Sequence, residues 1–255
     1  MSKPGKHTPY FELVDALGQA GCPVCRLAER SAERYLDGLL YEAVLDPAVR
    51  TRLRRSRGFC REHTAMLRRV PGRALGIALI YRDIIRDVIA ATEALHERPK
   101  ASWLSRLLRR KGGGMAGIRT ATAPPCPACV SSRDAEARHI DTLLAHLDDE
   151  TLYTAYIRSD GLCLSHLLTA VARPMDDTAL RRLLDPQNAR YRRLLHDLNE
   201  FIRKRDHRFR HEPYGEEGDA WLRAMSLVAG GESGSVATDR RQANHTGENP
   251  TEQGE

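Results

Sequence analysis

The chain has 255 residues, of which 41% are hydrophobic and only 5% aromatic, and its formal net charge is +6. A chain of this length can bury a core without disulfides, as one large domain or two small ones. Because Leu, Ala, Arg and Glu are helix formers and β-favouring aromatic residues are scarce, the composition excludes an all-β sandwich and predicts an all-α protein.

We expect neither a membrane span nor a secretion signal. The longest apolar run, Ala74 to Tyr81, is far shorter than the roughly 20 residues of a membrane helix. The N-terminus, MSKPGKHTPY, is polar and lacks the hydrophobic segment of a signal peptide. The sequence therefore predicts a cytoplasmic protein that does not contact a membrane.

Apolar periodicity and capping residues predict a series of helices. Asp46 followed by Pro47 is typical of a helix start, and Gly58 of a helix end. The helices predicted in chain order are about Tyr10–Leu17, one after Cys25, about Asp46–Ser56, one from Cys60 to Pro71, a long helix with an apolar stripe from Ile77 to Leu95, one after Cys129, a long helix that begins after Pro186, and about Glu217–Val228.

The second part of the chain repeats the first. The segment RSRGFCREH, which ends at His63, aligns without a gap with RSDGLCLSH, which ends at His166, at an offset of 103 residues. The CPxC motif at Cys22 aligns with that at Cys126 at an offset of 104 residues. We predict two duplicated helical units, at residues 1–98 and 126–229, with a flexible basic linker at 99–125 and a disordered tail at 230–255.

All six cysteines lie in these repeated motifs. Each unit supplies CPxC and, after 33 or 34 intervening residues, CxxH. Paired short-spaced ligands of this kind are typical of a tetrahedral Cys3His zinc site, and a complete set leaves no open position for a substrate. We therefore expect two structural zinc ions per chain, one in each unit. The predicted sets are Cys22, Cys25, Cys60 and His63, and Cys126, Cys129, Cys163 and His166.

Other uses of the cysteines fit less well. Disulfides are rare in a reducing cytoplasm. A redox dithiol would explain CPxC but not the repeated CxxH. An iron–sulfur cluster stays open as an alternative to zinc, because three cysteines and one histidine can also ligate iron.

The motifs resemble those of an uncharacterised prokaryotic family of unknown function, in which CPxC is followed by GFCxxH. The resemblance extends to a C-terminal block of this chain, Phe201–Phe209, Glu212-Pro213 and Gly215–Trp221, and spans about Tyr10 to Gly230. The second unit has Leu162 where the family pattern has Phe, which leaves the ligands unchanged. The resemblance implies no known activity.

Two further features need an interpretation. His207 and His211 are four residues apart and suggest another metal or acid–base site, but charges that suit neighbouring helix ends explain this block better. Other polar residues of the helix after Cys129 are expected to be exposed or partly buried, namely Glu136, His139, Asp141 and His146.

Between Arg50 and Arg73 the chain carries nine arginines and a single acid, Glu62. This net charge of +8 suggests non-specific nucleic-acid binding, which is not favoured because the second unit lacks the cluster. We expect a zinc-stabilised helical binding or adaptor protein with an unidentified protein partner rather than an enzyme. An iron–sulfur redox or sensor protein and a nucleic-acid-binding regulator stay open as alternatives.

Overall fold

The computed structural model describes residues 5–96, 123–209 and 211–230. Within these ranges the regular secondary structure is helical and contains no β-strand, which confirms the all-α prediction. The predicted linker lies outside the described residues except for 123–125, and the predicted tail except for Gly230. None of the helices in these ranges combines the length and the apolar character needed to cross a lipid bilayer.

The described residues form ten α-helices. They are α1 (Thr8–Leu17), α2 (Pro23–Gly38), α3 (Pro47–Arg55), α4 (Arg61–Arg69), α5 (Ala74–His96), α6 (Pro127–Ala145), α7 (Glu150–Arg158), α8 (Leu164–Val171), α9 (Asp177–Arg205) and α10 (Ala220–Ala229). A π-helical turn, Leu39–Ala43, continues α2, and short 3-10 turns lie at His207–Phe209 and Glu216–Asp219.

Four consecutive helices recur at a nearly constant interval. The helices α2 to α5 begin 104, 103, 103 and 103 residues before α6 to α9, respectively. The cap at the start of α3 recurs as well: Asp46 accepts hydrogen bonds from the amides that open α3, and Asp149 accepts one from the first turn of α7. Helix order therefore follows the same offsets as the sequence motifs.

The chain divides into two compact units. Unit A contains Met1–Glu29 and Asp134–Glu255, and unit B contains Arg30–Arg133. This division differs from the predicted 1–98 and 126–229, because its boundaries fall inside α2 and α6. The helix α6 has 19 residues and is about 28 Å long. Its residues up to Arg133 belong to unit B, and its residues from Asp134 belong to unit A.

Each unit has its own core. In unit A, α1 packs on α7 around the fully buried Leu13 and Tyr156. In unit B, α3 packs on α5, and Leu53 and Ile80 belong to the buried cluster. The cores place the N-termini of the helices that carry the cysteine motifs.

The start of α9 was predicted wrongly. The helix begins at Asp177, capped by Asp176, so Pro186 lies inside it rather than before it. An internal proline costs about 3 kcal/mol because it removes a helical hydrogen bond. Leu183 and Gln187, on either side of the proline, are both completely buried, and the contacts of this turn offset that cost.

Candidate metal centre

The structure gathers the eight predicted ligands into two groups of four. In each group the donor atoms all lie within 4.8 Å of one another. Site A, in unit A, consists of Cys22, Cys25, Cys163 and His166, and site B, in unit B, consists of Cys60, His63, Cys126 and Cys129. The predicted pairing within each repeat is therefore wrong, because each site combines the CPxC motif of one repeat with the CxxH motif of the other.

Local geometry explains why the pairs form but not how they combine. The carbonyl of Cys22 accepts a hydrogen bond from the amide of Arg26, and that of Cys60 from the amide of Thr64. The first cysteine of each motif is thus the N-cap, and the second ligand follows three residues later in the first turn. Two donors at one helix end make half of a tetrahedral site, and tertiary packing decides which other half completes it.

Each site lies where two helices begin. Cys22 and Cys163 precede α2 and α8 at site A, and Cys126 and Cys60 precede α6 and α4 at site B. A helix N-terminus carries partial positive charge and lowers the cost of a thiolate. Three thiolates around a divalent ion leave one net negative charge, which the two helix ends partly offset.

Site A is tightly gathered and mostly buried. The Nδ1 atom of His166 lies 3.4 Å from the sulfurs of Cys22 and Cys25 and 3.2 Å from that of Cys163, and the Cys25 and Cys163 sulfurs are 3.7 Å apart. Contacts with Cys163 and Cys25, and then burial, raise the pKa of the Cys22 thiol. Hydrogen bonds from Cys22 and Cys25 lower the pKa of Cys163. Burial alone would lower the pKa of His166, but its contacts with Cys163, Cys25 and Glu136 raise it to about 11.

Site B has similar spacing and more exposed cysteines. The Nδ1 atom of His63 lies 3.1, 3.7 and 3.4 Å from the sulfurs of Cys60, Cys126 and Cys129, respectively, and the Cys60 and Cys129 sulfurs are 3.6 Å apart. Burial lowers the pKa of His63. Burial and the contact with Cys60 raise the pKa of Cys129 to about 12. The raised pKa values show that the Cys22 and Cys129 thiols resist ionisation beside their neighbours, and a cation bound between the sulfurs would remove that cost.

Charged groups next to site A tie its two motifs together. The amide of Gly21, which precedes CPxC, donates to a carboxylate oxygen of Asp160 at 2.6 Å, in the loop that precedes CxxH. A carboxylate oxygen of Glu136 lies 3.7 Å from the Nε2 atom of His166. A carboxylate on the far side of a ligating histidine fixes the ring and strengthens it as a donor.

Gln187 holds the backbone just before Cys163. Its amide nitrogen donates to the carbonyl of Leu162 at 2.8 Å, and its amide oxygen accepts from the Leu162 amide at 3.1 Å. Tyr156 donates to the same oxygen at 3.2 Å. Gly161 has φ +79°, and a β-carbon there would lie 2.5 Å from the Gln187 oxygen. Gln187 is not predicted by any motif, and the available signal in the sequence was a polar residue one turn from Leu183 on the apolar stripe of α9.

The C-terminal block of the family resemblance positions α10 against site A. The Lys204 ammonium lies 2.6 Å from Glu217, and this contact is the main reason that the pKa of Glu217 falls to about 2. Arg223 of α10 pairs with Asp197 of α9 at 3.0 Å. At the end of α10, a β-carbon on Gly230 would lie 3.3 Å from the Cys25 sulfur and 3.4 Å from the Cys163 sulfur.

The other histidines lie outside both sites. The prediction that His139 and His146 are exposed or partly buried is wrong, because both are buried. The His139 ring contacts the carbonyl of Ala135 at 2.7 Å and Glu12 at 3.2 Å, so its polar atoms have partners in the core. His207 is 84% exposed beside Asp206, and neither donor group in the described residues includes it.

The fold and the donor groups define a class: an all-α protein with two four-donor Cys/His centres that can hold metal ions. Residues 9–235 match the Family of unknown function (DUF6062), and the chain belongs to this family. A relative, the "Uncharacterized 23.9 kDa protein in xynA 3'region" of Caldicellulosiruptor sp. (strain Rt8B.4), is 25% identical over 220 residues, which are 86% of this chain and 99% of the relative. No solved structure matches the chain significantly.

Proposed function

We propose that the protein is a zinc-stabilised helical binding or adaptor protein whose two Cys3His sites are structural. The observation that carries this proposal is the presence of two complete sets of four donors, each set within 4.8 Å. Catalytic zinc sites keep one position for water or substrate, whereas four protein ligands fill the tetrahedron. The sites therefore support binding by a stabilised scaffold rather than chemistry at the metal.

The distances between donors favour a single ion over a cluster. A tetrahedral zinc ion with bonds of about 2.3 Å to sulfur and about 2.0 Å to nitrogen separates its donors by roughly 3.5–3.8 Å. The shorter separations between donors run from 3.1 to 3.7 Å, and no separation within either site exceeds 4.8 Å. An iron–sulfur cluster places several irons and sulfides between its protein ligands and needs more room than these distances leave.

Two further parts of the proposal concern origin and location. The shared offsets of motifs and helices support an internal duplication, in which the two copies exchanged their CxxH motifs to complete the sites. A cytoplasmic location suits six cysteines that form no disulfide, because reducing conditions keep thiols available as ligands.

Metal analysis of protein purified with and without oxygen tests the proposal. We expect two zinc ions per chain and a colourless protein in both preparations. Iron in the elemental analysis, with absorption at about 400 nm, would instead support the redox or sensor alternative. Circular dichroism before and after removal of the metal supplies a second readout. A structural zinc site contributes an apparent 10–16 kcal/mol in small peptides, and a domain is stable by 5–15 kcal/mol, so metal-free protein should lose helicity.

A basic surface in unit B gives nucleic-acid binding as a second candidate function. Arg50 and Arg54 of α3 pair with Asp83 and Asp87 of α5, and so do not contribute free positive charge. Other exposed arginines make no ion pair within 4.0 Å in the described part of the chain, namely Arg52, Arg55, Arg57, Arg61, Arg68 and Arg69.

The salt dependence of binding to duplex DNA tests this candidate. Neutralising four or five phosphates gives a log–log slope of about −3.6 to −4.5. Changing four unpaired arginines, Arg52, Arg55, Arg57 and Arg61, to Gln should flatten that slope, whereas changing Arg181, Arg182, Arg192 and Arg193 in unit A should not. Binding that survives unchanged in the first variant would exclude this surface.

A further inference from the structure

We propose that the two metal sites have different tasks: site A holds its ion permanently, whereas site B is an exchangeable site that gives up zinc and exposes reactive thiolates first. This inference rests on the proposed function, because it assumes that both sites bind zinc. It is carried by three differences between the sites: burial, contacts behind the ligands, and coverage by α10.

The first difference is burial. At site A, Cys22 is 8% exposed, Cys163 is 3% exposed and His166 is 8% exposed, and Cys25 alone is partly accessible. At site B only His63 is buried, and all three cysteines are partly accessible. Chelators and electrophiles must reach the sulfur atoms to take the metal or modify a thiolate, so they meet less obstruction at site B.

The second difference lies in the groups that support the ligands. At site A, Asp160 accepts from Gly21, Glu136 faces His166, and Gln187 holds Leu162. The repeat offsets place a residue without that function at each equivalent position of site B. Arg57 and Pro125 take the places of Asp160 and Gly21. Ala32 and His63 take those of Glu136 and His166, and Ile84 and Phe59 take those of Gln187 and Leu162.

The residues at the equivalent positions of site B lack the donor or acceptor groups that these contacts need. Pro125 has no amide hydrogen to donate, and the Arg57 side chain cannot accept one. Ala32 and Ile84 carry no polar side-chain atom. The loop of site B is closed by local contacts: the amide of Gly58 donates to the carbonyl of Leu53 at 2.8 Å, and the hydroxyl of Ser56 donates to the carbonyl of Gly58 at 2.9 Å.

Backbone conformation adds to this contrast. Arg57 has φ +58°, and is the one non-glycine residue with positive φ in the described ranges. Asp160, at the equivalent position in site A, is not among these residues. A non-glycine residue in the left-handed region costs free energy, and only the loop that carries Cys60 has this cost.

The third difference is the cover that α10 gives to site A. Gly230 lies so close to Cys25 and Cys163 that a β-carbon there would contact both sulfurs. The ion pairs of Lys204 with Glu217 and of Arg223 with Asp197 fasten the preceding turn and α10 to α9. This end of α10 therefore restricts the approach of reagents to the Cys25 and Cys163 sulfurs.

The expected size of the effect follows from the supporting groups. Loss of one hydrogen-bond partner behind a metal ligand typically weakens metal binding 10–100-fold. Site B lacks a counterpart of Glu136, which lies 3.7 Å from His166, and counterparts of the Asp160 and Gln187 hydrogen bonds to residues next to Cys22 and Cys163. We therefore expect zinc to leave site B at least tenfold faster than site A.

A competition experiment on the full-length zinc protein tests this expectation. A chromogenic chelator in excess reports zinc release with time, while pulses of N-ethylmaleimide followed by peptide mass spectrometry report which cysteines have become free. We expect two phases of one zinc each, with Cys60, Cys126 and Cys129 alkylated in the first and Cys22, Cys25 and Cys163 in the second. A single phase, or the opposite order of alkylation, would overturn the inference.

Two mild variants test the cause. Glu136→Gln and Asp160→Asn change partly or fully exposed side chains, and each should speed the slow phase roughly tenfold while leaving the fast phase unchanged. Glu33→Gln is the matched control, because it removes one carboxylate from an exposed position of α2 beside Ala32 and should change neither phase. Unchanged slow release in both variants would show that these contacts do not distinguish the sites.

The same data separate this inference from the proposed function. Two zinc ions that leave together contradict the inequality of the sites and leave the structural zinc proposal intact. Protein that contains no zinc, or contains iron, contradicts the proposed function itself.

Discussion

Paired cysteine substitutions distinguish the crossed arrangement of ligands from an arrangement within each repeat. Cys22→Ser combined with Cys163→Ser removes two ligands from site A only, so this variant should retain one metal ion. Cys22→Ser combined with Cys60→Ser removes one ligand from each site and should retain none. If the ligands paired within repeats, the two outcomes would be exchanged.

The length of chain between the two halves of site A sets the size of the stability change. Cys25 and Cys163 are 138 residues apart, and a cross-link over such a loop restricts the unfolded chain by about 5 kcal/mol. For a chain of this size 1 kcal/mol moves the melting temperature by about 2–4 °C, so loss of site A should lower it by about 10–20 °C. Cys22→Ser and Cys163→Ser should each cause this loss, and the double variant should be no less stable than either, because both changes destroy the same site.

Elemental analysis and thermal unfolding of the four variants supply both readouts. Cys22→Ser with Cys60→Ser should show roughly twice the loss of a single variant, because independent sites contribute additively. Additive losses for Cys22→Ser with Cys163→Ser, together with zero bound metal, would refute the crossed arrangement. Wild-type melting and metal content in every variant would show that these cysteines are not ligands at all.

Three further outcomes follow from contacts in unit A. Gly161→Ala should destabilise the protein by about 1–3 kcal/mol more than Gly72→Ala, measured by urea unfolding, because both glycines have positive φ but only at Gly161 does a β-carbon meet other atoms. Gly230→Ala should speed zinc release from site A and leave site B unchanged, as followed with the chelator. Hydrogen bonds from Tyr10 and then Lys6 lower the pKa of Asp149, so its contribution is complete above about pH 4 and is lost as the pH falls further. Asp149→Asn should therefore be less stable than wild type at pH 7, with a difference that shrinks in acid.

Local features of the chain could be predicted because they depend on neighbours in sequence. Asp46 caps α3 as its type and position indicate, and the spacing within CPxC and CxxH places two donors at one helix end. The all-α class follows from composition and periodicity for the same reason. All eight candidate ligands were found in this way.

Features that depend on tertiary packing could not be predicted. A spacing of 33 or 34 residues is compatible with a site inside one repeat, and nothing in that spacing shows that α2 and α6 each carry the chain from one compact unit into the other. Pro186 predicts a helix start because the free-energy cost of a proline inside a helix depends only on its neighbours in sequence. The burial of Leu183 and Gln187, which offsets this cost, depends on tertiary packing and cannot be seen in the sequence.

The crossed donor groups also bear on which residues differ between the two repeats. Because each donor group combines motifs from both repeats, neither repeat can lose its cysteines and histidine without damage to both groups. The groups behind the ligands are under no such constraint, and there the copies differ: Asp160, Glu136 and Gln187 stand where the first repeat has an arginine, an alanine and an isoleucine. Eight retained ligands with unequal support are what we expect when both ions stabilise the fold but only one must stay bound at all times.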